Sequence, residues 1–287
     1  MRLNKFNPAN IRVRNGGGGG GLGGGGKLGC GTIVVVLIGA LVFGVDPGQM
    51  LGTVETMQQG SSSQEQPSGQ TAAEICEQNQ YSLESCNALS SLNETWAPLF
   101  AEANMQFQQP TLNFYTGGTR SGCGAAQSAM GPFYCPADQG IYIDTSFYDQ
   151  MDRQMGASGD FARYYVMAHE YGHHVQKLTG LADQVRSAQQ QNSSRANDLQ
   201  VRMELQADCY AGVWAGKNRN LIEPGDMEEG LRAASAIGDD TLQRRSGQRV
   251  NPESFTHGSS AMRMEWLERG LQTGNDEACD TFADMRQ

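Results

Sequence analysis

The run Phe161-Ala-Arg-Tyr-Tyr-Val-Met-Ala-His-Glu-Tyr-Gly-His-His-Val-Gln-Lys-Leu178 constrains this chain more than any other stretch. Phe161, Tyr164, Tyr165, Met167, Ala168, Val175 and Leu178 give it apolar surface on several sides, so it reads as a helix buried in the core. Inside it, His169-Glu170-Tyr171-Gly172-His173 matches H-E-x-x-H. Residues i and i+4 share a helix face one turn apart, so His169 and His173 can direct two imidazoles at one metal ion. Glu170 is rotated by about 100° from His169. It therefore flanks the ion, where a general base for an activated water belongs. Three fixed positions do occur by chance in ordinary helices. Two facts weigh against chance: three of the four histidines fall at 169, 173 and 174, and imidazoles in a buried helix need partners.

Two histidines do not make a catalytic zinc site, which needs three protein ligands and an open position. The best third ligand is Glu204, in Arg202-Met-Glu-Leu-Gln-Ala-Asp-Cys209, on a separate helix that can pack against the first. Asp208 lies one turn beyond Glu204 on the same face, placed to accept the N–H of a metal-bound histidine. Both acids also fit a plain solvent-facing stripe, and Asp208 and His257 are the other candidate ligands. His257, in Phe255-Thr-His-Gly-Ser-Ser-Ala-Met-Arg263, precedes a helix and is read either as a catalytic donor to a developing oxyanion or as a satisfied helix-start histidine. Arg263 reads as an ion-pair partner, Tyr171 as core, and His174, rotated off the ligand face, as a non-ligand.

These residues point to zinc-dependent peptide hydrolysis with one Zn2+ per chain. Glu170 acts as general base on a zinc-activated water and returns the proton to the leaving amine. The rival is a non-catalytic, zinc-stabilised, membrane-tethered binding or assembly module, in which His257 or Cys209 supplies a fourth ligand and closes the site. A weaker third reading is hydrolysis of a non-peptide amide such as a cell-wall crosslink.

Charge divides the chain. Residues 1–45 carry Arg2, Lys5, Arg12, Arg14, Lys27 and no acid, which leaves 16 of the 21 basic residues against all 31 acidic ones. A body this acidic argues against a nucleic-acid partner. Leu28–Val45 is uncharged and mostly apolar, near the lower limit for a spanning helix. Positive charge before it predicts a cytoplasmic N-terminus and an exported body. A cleaved signal peptide is disfavoured by the long n-region and the absence of a clear small-x-small site. The expected organisation is a disordered glycine-rich tail over 1–27, a transmembrane anchor over 28–45, a Gln/Ser/Gly-rich linker over 46–70 and one folded domain over 71–287.

The body reads as α+β and mainly helical, with a small antiparallel sheet before the central helix. Thr71–Asn79 is a short capped helix. Residues 84–108 form a longer one, ended by Pro110. Strands follow at Thr111–Tyr115, Phe133–Tyr134 and Ile141–Ile143, and Gly117–Gly124 reads as a turn. Helices follow at Ser146–Met155, Asp160–Leu178, Leu181–Gln191, Asn197–Asn218, Pro224–Asp239 and Ser259–Gly270. Six cysteines remain besides Cys30, none in a C-x-x-C pair. An even number in an exported body suggests disulfides. The pairing guessed is Cys76–Cys86 and Cys123–Cys135, which close short loops, and Cys209–Cys279. Six buried free thiols are the alternative.

HEYGHHVQ, then ELQADCYAGVWA, then a late HGSSAMR resembles the bacterial putative neutral zinc metallopeptidase family, whose members carry an N-terminal membrane segment. The wider likeness is to thermolysin-type zincins, which pair H-E-x-x-H with a downstream Glu ligand and an Asp four residues later. The resemblance implies a zincin-like domain with His169, His173 and Glu204 as ligands, Glu170 as base and Asp208 bonded to a ligand histidine. It also implies a peptide or protein substrate, and a single-pass protein of the bacterial inner membrane with its catalytic domain outside.

Overall fold

A computed structural model of the chain describes residues 1–16 and 69–285. The glycine run after Gly16, the apolar segment 28–45 and residues 46–68 lie outside the described residues. Among those described, no helix is long and apolar enough to cross a membrane.

The first sixteen residues are not part of a tail. Arg12–Asn15 forms strand β1, paired in parallel with β2 (Thr111–Tyr115), and Gly16 N–H donates to the Phe114 carbonyl at 2.7 Å. Phe6 and Ile11 are buried in the main core. Phe6 N–H donates to Asn87 Oδ1, and Asn93 Nδ2 donates to the Asn10 carbonyl. Apolar side chains with two docking hydrogen bonds offset the ordering cost that a polar tail cannot. The folded unit therefore starts at the first strand, not at Thr71. A chain crossing a membrane once between residues 16 and 69 would leave β1 and β2 on opposite sides.

The fold is α+β and mainly helical, but the sheet is not a small antiparallel one. Its order is β1-β2-β6-β5, with β6 at Gly140–Asp144 parallel to β2 and only β5 (Phe133–Cys135) antiparallel. Parallel pairing needs long connections, and helix α1 (Ala72–Cys76) and helix α2 (Gln80–Glu102) lie between β1 and β2. Strand β6 is internal and buried at every position. Ile141 and Ile143 face the core, while Tyr142 stacks on Phe133 across the other face, centroids 4.8 Å apart. The glycine-rich turn region forms a separate hairpin, β3 (Gly118–Ser121) with β4 (Gly124–Gln127).

Thr71 caps α1 in the expected capping box with Glu74. Helix α2 stops eight residues before Pro110, because Asn104 adopts φ +54° and Met105 N–H returns to the Phe100 carbonyl. Helices α3 (Ser146–Met155), α4 (Asp160–Leu178), α5 (Leu181–Gln191) and α6 (Ala196–Lys217) match expectation closely. The helix expected over 224–239 is α7 (Asp226–Ala236); a separate short helix, α8 (Asp239–Arg245), not read in the sequence, follows it, and then α9 (Ser260–Thr273). Helices α7 and α8 break at Gly238, where a Cβ would lie 2.4 Å from Ser260 N.

All three guessed disulfides form: Cys76–Cys86, Cys123–Cys135 and Cys209–Cys279. The last closes the longest loop, and a cross-link of that span stabilises by about 4 kcal/mol in the chain-entropy account.

Candidate metal centre

Two close approaches bring the site together. Helix α4 crosses α6 at Gly172, where a Cβ would sit 2.9 Å from Ala207 Cα. A variable position of H-E-x-x-H is glycine because the neighbouring backbone occupies its side-chain space. On the far side of α6, a Cβ on Gly270 would lie 2.0 Å from the Cys209 carbonyl, so α9 also packs almost backbone to backbone. The site is thus assembled from α4, α6 and α9 held at short range.

His169, His173 and Glu204 each offer a ligand atom, all within 4.8 Å of one another. His169 Nε2 lies 3.1 Å from Glu204 Oε2, and His173 Nε2 lies 3.6 Å from Glu204 Oε1. The two imidazoles meet edge to face with centroids 4.8 Å apart. Gln200, one turn before Glu204, donates to Glu204 Oε1 at 2.9 Å.

Each imidazole uses its other nitrogen to hold its orientation. His169 Nδ1 bonds Asp208 Oδ1 at 2.8 Å. Asp208 is fully buried and also accepts from the Tyr165 hydroxyl and from Arg263, which grips both carboxylate oxygens. Arg263 is the ion-pair partner it was read to be. His173 Nδ1 bonds Gln176 Oε1 at 2.9 Å. Gln176 went unread in the sequence, although its place one turn after His173 was a usable signal.

The electrostatics follow from this packing. Burial opposes the charge on Asp208, but Arg263 and His169 override it and hold the carboxyl at about 2. Burial opposes the charge on His169 too, yet Asp208 and Glu204 raise its pKa to about 9. His173 is raised against the same opposition by Glu204, and Glu204 falls well below the usual carboxylate range because of His173 and His257. Glu170 moves the other way: burial raises it. Two imidazoles and one carboxylate, with second nitrogens anchored, form a donor set that suits zinc.

A model of the family described as "Putative neutral zinc metallopeptidase" matches residues 5–282. The chain belongs to that family. Among relatives of this zinc metallopeptidase family member, the "Uncharacterized protein YpfJ" of Escherichia coli K12 is 47% identical over 254 residues, covering 87% of this chain and 85% of the relative. The "Uncharacterized protein Rv2575" of Mycobacterium tuberculosis H37Rv is 39% identical over 265 residues, covering 85% of each. No solved structure matches.

In this family member a cleft of about 230 Å3 opens onto the cluster, with Glu170 and His257 also in its wall. Its walls combine apolar side chains (Met130, Phe147, Met155, Val166, Ile237, Leu242) with polar ones (Asp183, Arg186, Gln189, Gln200). His257 is held from behind by Asp239, whose carboxylate lies 3.2 Å from Nδ1 and also accepts the backbone N–H groups of Thr256, His257 and Gly258. Asp239 was missed because the helix break at Gly238 was missed. Acids at the first turn after a glycine were the available signal.

His174 is not in the cluster. Burial lowers it to about 4, and its ring bridges the Tyr134 hydroxyl and the Gln108 carbonyl. It ties β5 and the chain entering β2 to the back of α4. Tyr171 is fully buried and donates to Asn93, a core role. Cys209 is spent in its disulfide, and His257 lies outside the ligand cluster, so neither supplies a fourth ligand among the described residues.

Proposed function

We propose that this chain is a zinc-dependent peptidase with one zinc held by His169, His173 and Glu204. The observation that carries the reading is three convergent ligand atoms at the wall of an open cleft, beside a buried glutamate, with neither candidate fourth ligand in place. Zinc in such a site supplies Lewis acidity, polarising a carbonyl oxygen and acidifying a water.

The chain's own groups do the rest. Asp208 and Gln176 hold the two imidazoles with their Nε2 atoms turned toward Glu204. Glu170, its proton affinity raised by burial, takes the proton from the attacking water and passes it to the leaving amine. His257 stands in the cleft wall with Nδ1 against the Asp239 carboxylate, and when its ring is doubly protonated its second N–H donates a hydrogen bond where charge develops on the scissile carbonyl oxygen. Strand β5 is an edge of the sheet and its Phe133 and Tyr134 line the cleft, so an extended peptide can add to it as a strand. Three disulfides favour an oxidising, extracytoplasmic compartment. Residues 1–16 share that compartment, because they share the fold.

The test is to prepare the chain with residues 1–16 retained, measure zinc per chain, and compare peptide cleavage by wild type and Glu170→Gln. The expected result is one zinc in both and cleavage in wild type alone. Zinc in both with no cleavage in either, across a broad peptide mixture, would replace the peptidase with the zinc-stabilised binding module.

A further inference from the structure

His173 is held by a hydrogen-bond chain that leaves α4, crosses α6 and ends on the C-terminal segment. His173 Nδ1 meets Gln176 Oε1 at 2.9 Å. Gln176 Nε2 donates to the Met203 carbonyl at 2.8 Å and to Gln206 Oε1 at 3.0 Å. Gln206 Nε2 donates to the Cys279 carbonyl at 3.1 Å. Gln176 and Gln206 are both buried, and Cys279 is covalently tied to Cys209, the residue after Asp208 on α6.

The polarity of this chain has one solution. A carbonyl only accepts, so the Cys279 carbonyl requires the NH2 end of the Gln206 amide and leaves its oxygen facing Gln176. Met203 and Gln206 together then require the NH2 end of Gln176, which turns Oε1 to His173. His173 Nδ1 must carry a proton, so Nε2, which faces Glu204, is the nitrogen left to meet a metal. Two fixed carbonyls, one of them on a cross-linked residue, thus keep a proton on the outer nitrogen of a ligand histidine from outside its own helix. His169 has a charged carboxylate for this purpose. His173 has only neutral amides: the Met203 carbonyl and Gln206 share the Gln176 NH2 group, and the Cys279 carbonyl keeps the Gln206 oxygen turned toward it.

We propose that Gln206 and the Cys209–Cys279 disulfide are positioning elements of the metal centre, acting on His173 through Gln176; this rests on the reading of His173 as a zinc ligand. The residue pattern alone gives no hint of it, since Gln206 and Cys279 are far apart in sequence and neither touches the ligands.

The experiment uses the full chain and compares Zn2+ affinity, by competition with a chromophoric chelator, in wild type, Gln206→Leu, the Cys209→Ser/Cys279→Ser pair, and all three changes together. His173→Ala and Leu89→Ala are controls. The visible spectrum of the Co2+-loaded proteins reports ligand geometry in parallel. Gln206→Leu and the cysteine pair are each expected to weaken Zn2+ binding by about 10- to 100-fold and to shift the cobalt bands. The combined variant is expected to lose much less than the product of the two, because both act through one chain of bonds. Leu89→Ala, a core truncation remote from the relay, should lower stability and leave metal affinity and spectrum unchanged. Unchanged affinity in Gln206→Leu, or losses that multiply, would overturn the proposal while His173→Ala still abolishes binding. Unchanged affinity in His173→Ala would instead remove the ligand reading beneath it.

Discussion

Asp208 faces His169 at 2.8 Å, carboxylate to imidazole, with one turn of α6 separating it from Glu204. One helix thereby supplies both a candidate ligand and the group that orients another ligand. The same carboxylate neutralises Arg263, which is almost fully buried. Asp208→Asn should leave that guanidinium buried beside a neutral amide, a class of change that costs about 3–5 kcal/mol, and weaken zinc binding by about 10- to 100-fold. Urea denaturation of the metal-free protein and chelator competition measure the two effects separately.

Zinc binding should be strongly linked to pH. His169, at about 9, carries a proton at neutral pH in the metal-free site, and His173 is raised in the same direction. Binding must displace those protons. Apparent zinc affinity should therefore rise with pH until His169 is deprotonated. Calorimetry in buffers of different ionisation enthalpy should show net proton release at pH 7; no release would contradict charged imidazoles.

The same shift gives a sign for stability. The folded pKa of His169 lies above its usual 6.5, so its contribution to the metal-free protein is fully present below about 6.5 and is lost as pH rises through about 9. Asp208 is depressed to about 2, so its contribution is present above its usual 3.8 and is lost as pH falls through about 2. Unfolding midpoints of metal-free protein should decline between pH 6.5 and 9, and zinc-loaded protein should not follow that decline.

Gly172→Ala should damage the site without touching a ligand. Its Cβ would press on Ala207 Cα at 2.9 Å and drive α6 away from α4. Overpacking of this kind costs about 1–3 kcal/mol, and Glu204 would move with α6. Lower thermal stability together with weaker zinc binding is the expected outcome; lower stability alone would mean that α6 carries no strain to the site.

Asp239→Asn should separate chemistry from binding. The carboxylate that backs His257 is lost while the ligands keep their partners. Turnover should fall by about 100-fold, the scale of one oxyanion donor, with zinc content unchanged. Loss of zinc in this variant would instead favour His257 as a ligand.

Residues 1–16 should lie on the same side of the membrane as the body. Ala9 and Ala103 are both exposed, so Ala9→Cys and Ala103→Cys, each in a Cys30→Ser background, can be probed in whole cells with a membrane-impermeant maleimide. Equal labelling is expected. Labelling of residue 103 alone, with residue 9 reached only after lysis, would break the pairing of β1 with β2.

Much of the site was legible because it follows helix periodicity. The spacing of His169, Glu170 and His173, and of Glu204 and Asp208, is fixed by 3.6 residues per turn, and so is the exclusion of His174 from the ligand face. The boundaries of α3, α4 and α5 were likewise readable from local caps and apolar spacing. Strands β2, β5 and β6 were found as segments, but their pairing was not, because parallel partners lie far apart in the chain and leave no local mark.

By itself, then, the amino-acid sequence determined which helix bears the imidazoles, which carboxylates stand a turn apart, and which cysteines close short loops. All of these are properties of neighbours along the chain. Only the tertiary structure decided that the N-terminal residues complete the sheet and that Asp239 stands behind His257. It alone placed two glutamines and a disulfide-bonded residue in a hydrogen-bond chain behind His173 Nδ1. Those contacts join residues whose separation in sequence carries no periodic signature. What sets them is the close backbone approach at Gly172 and Gly270, together with the requirement that each buried donor find an acceptor.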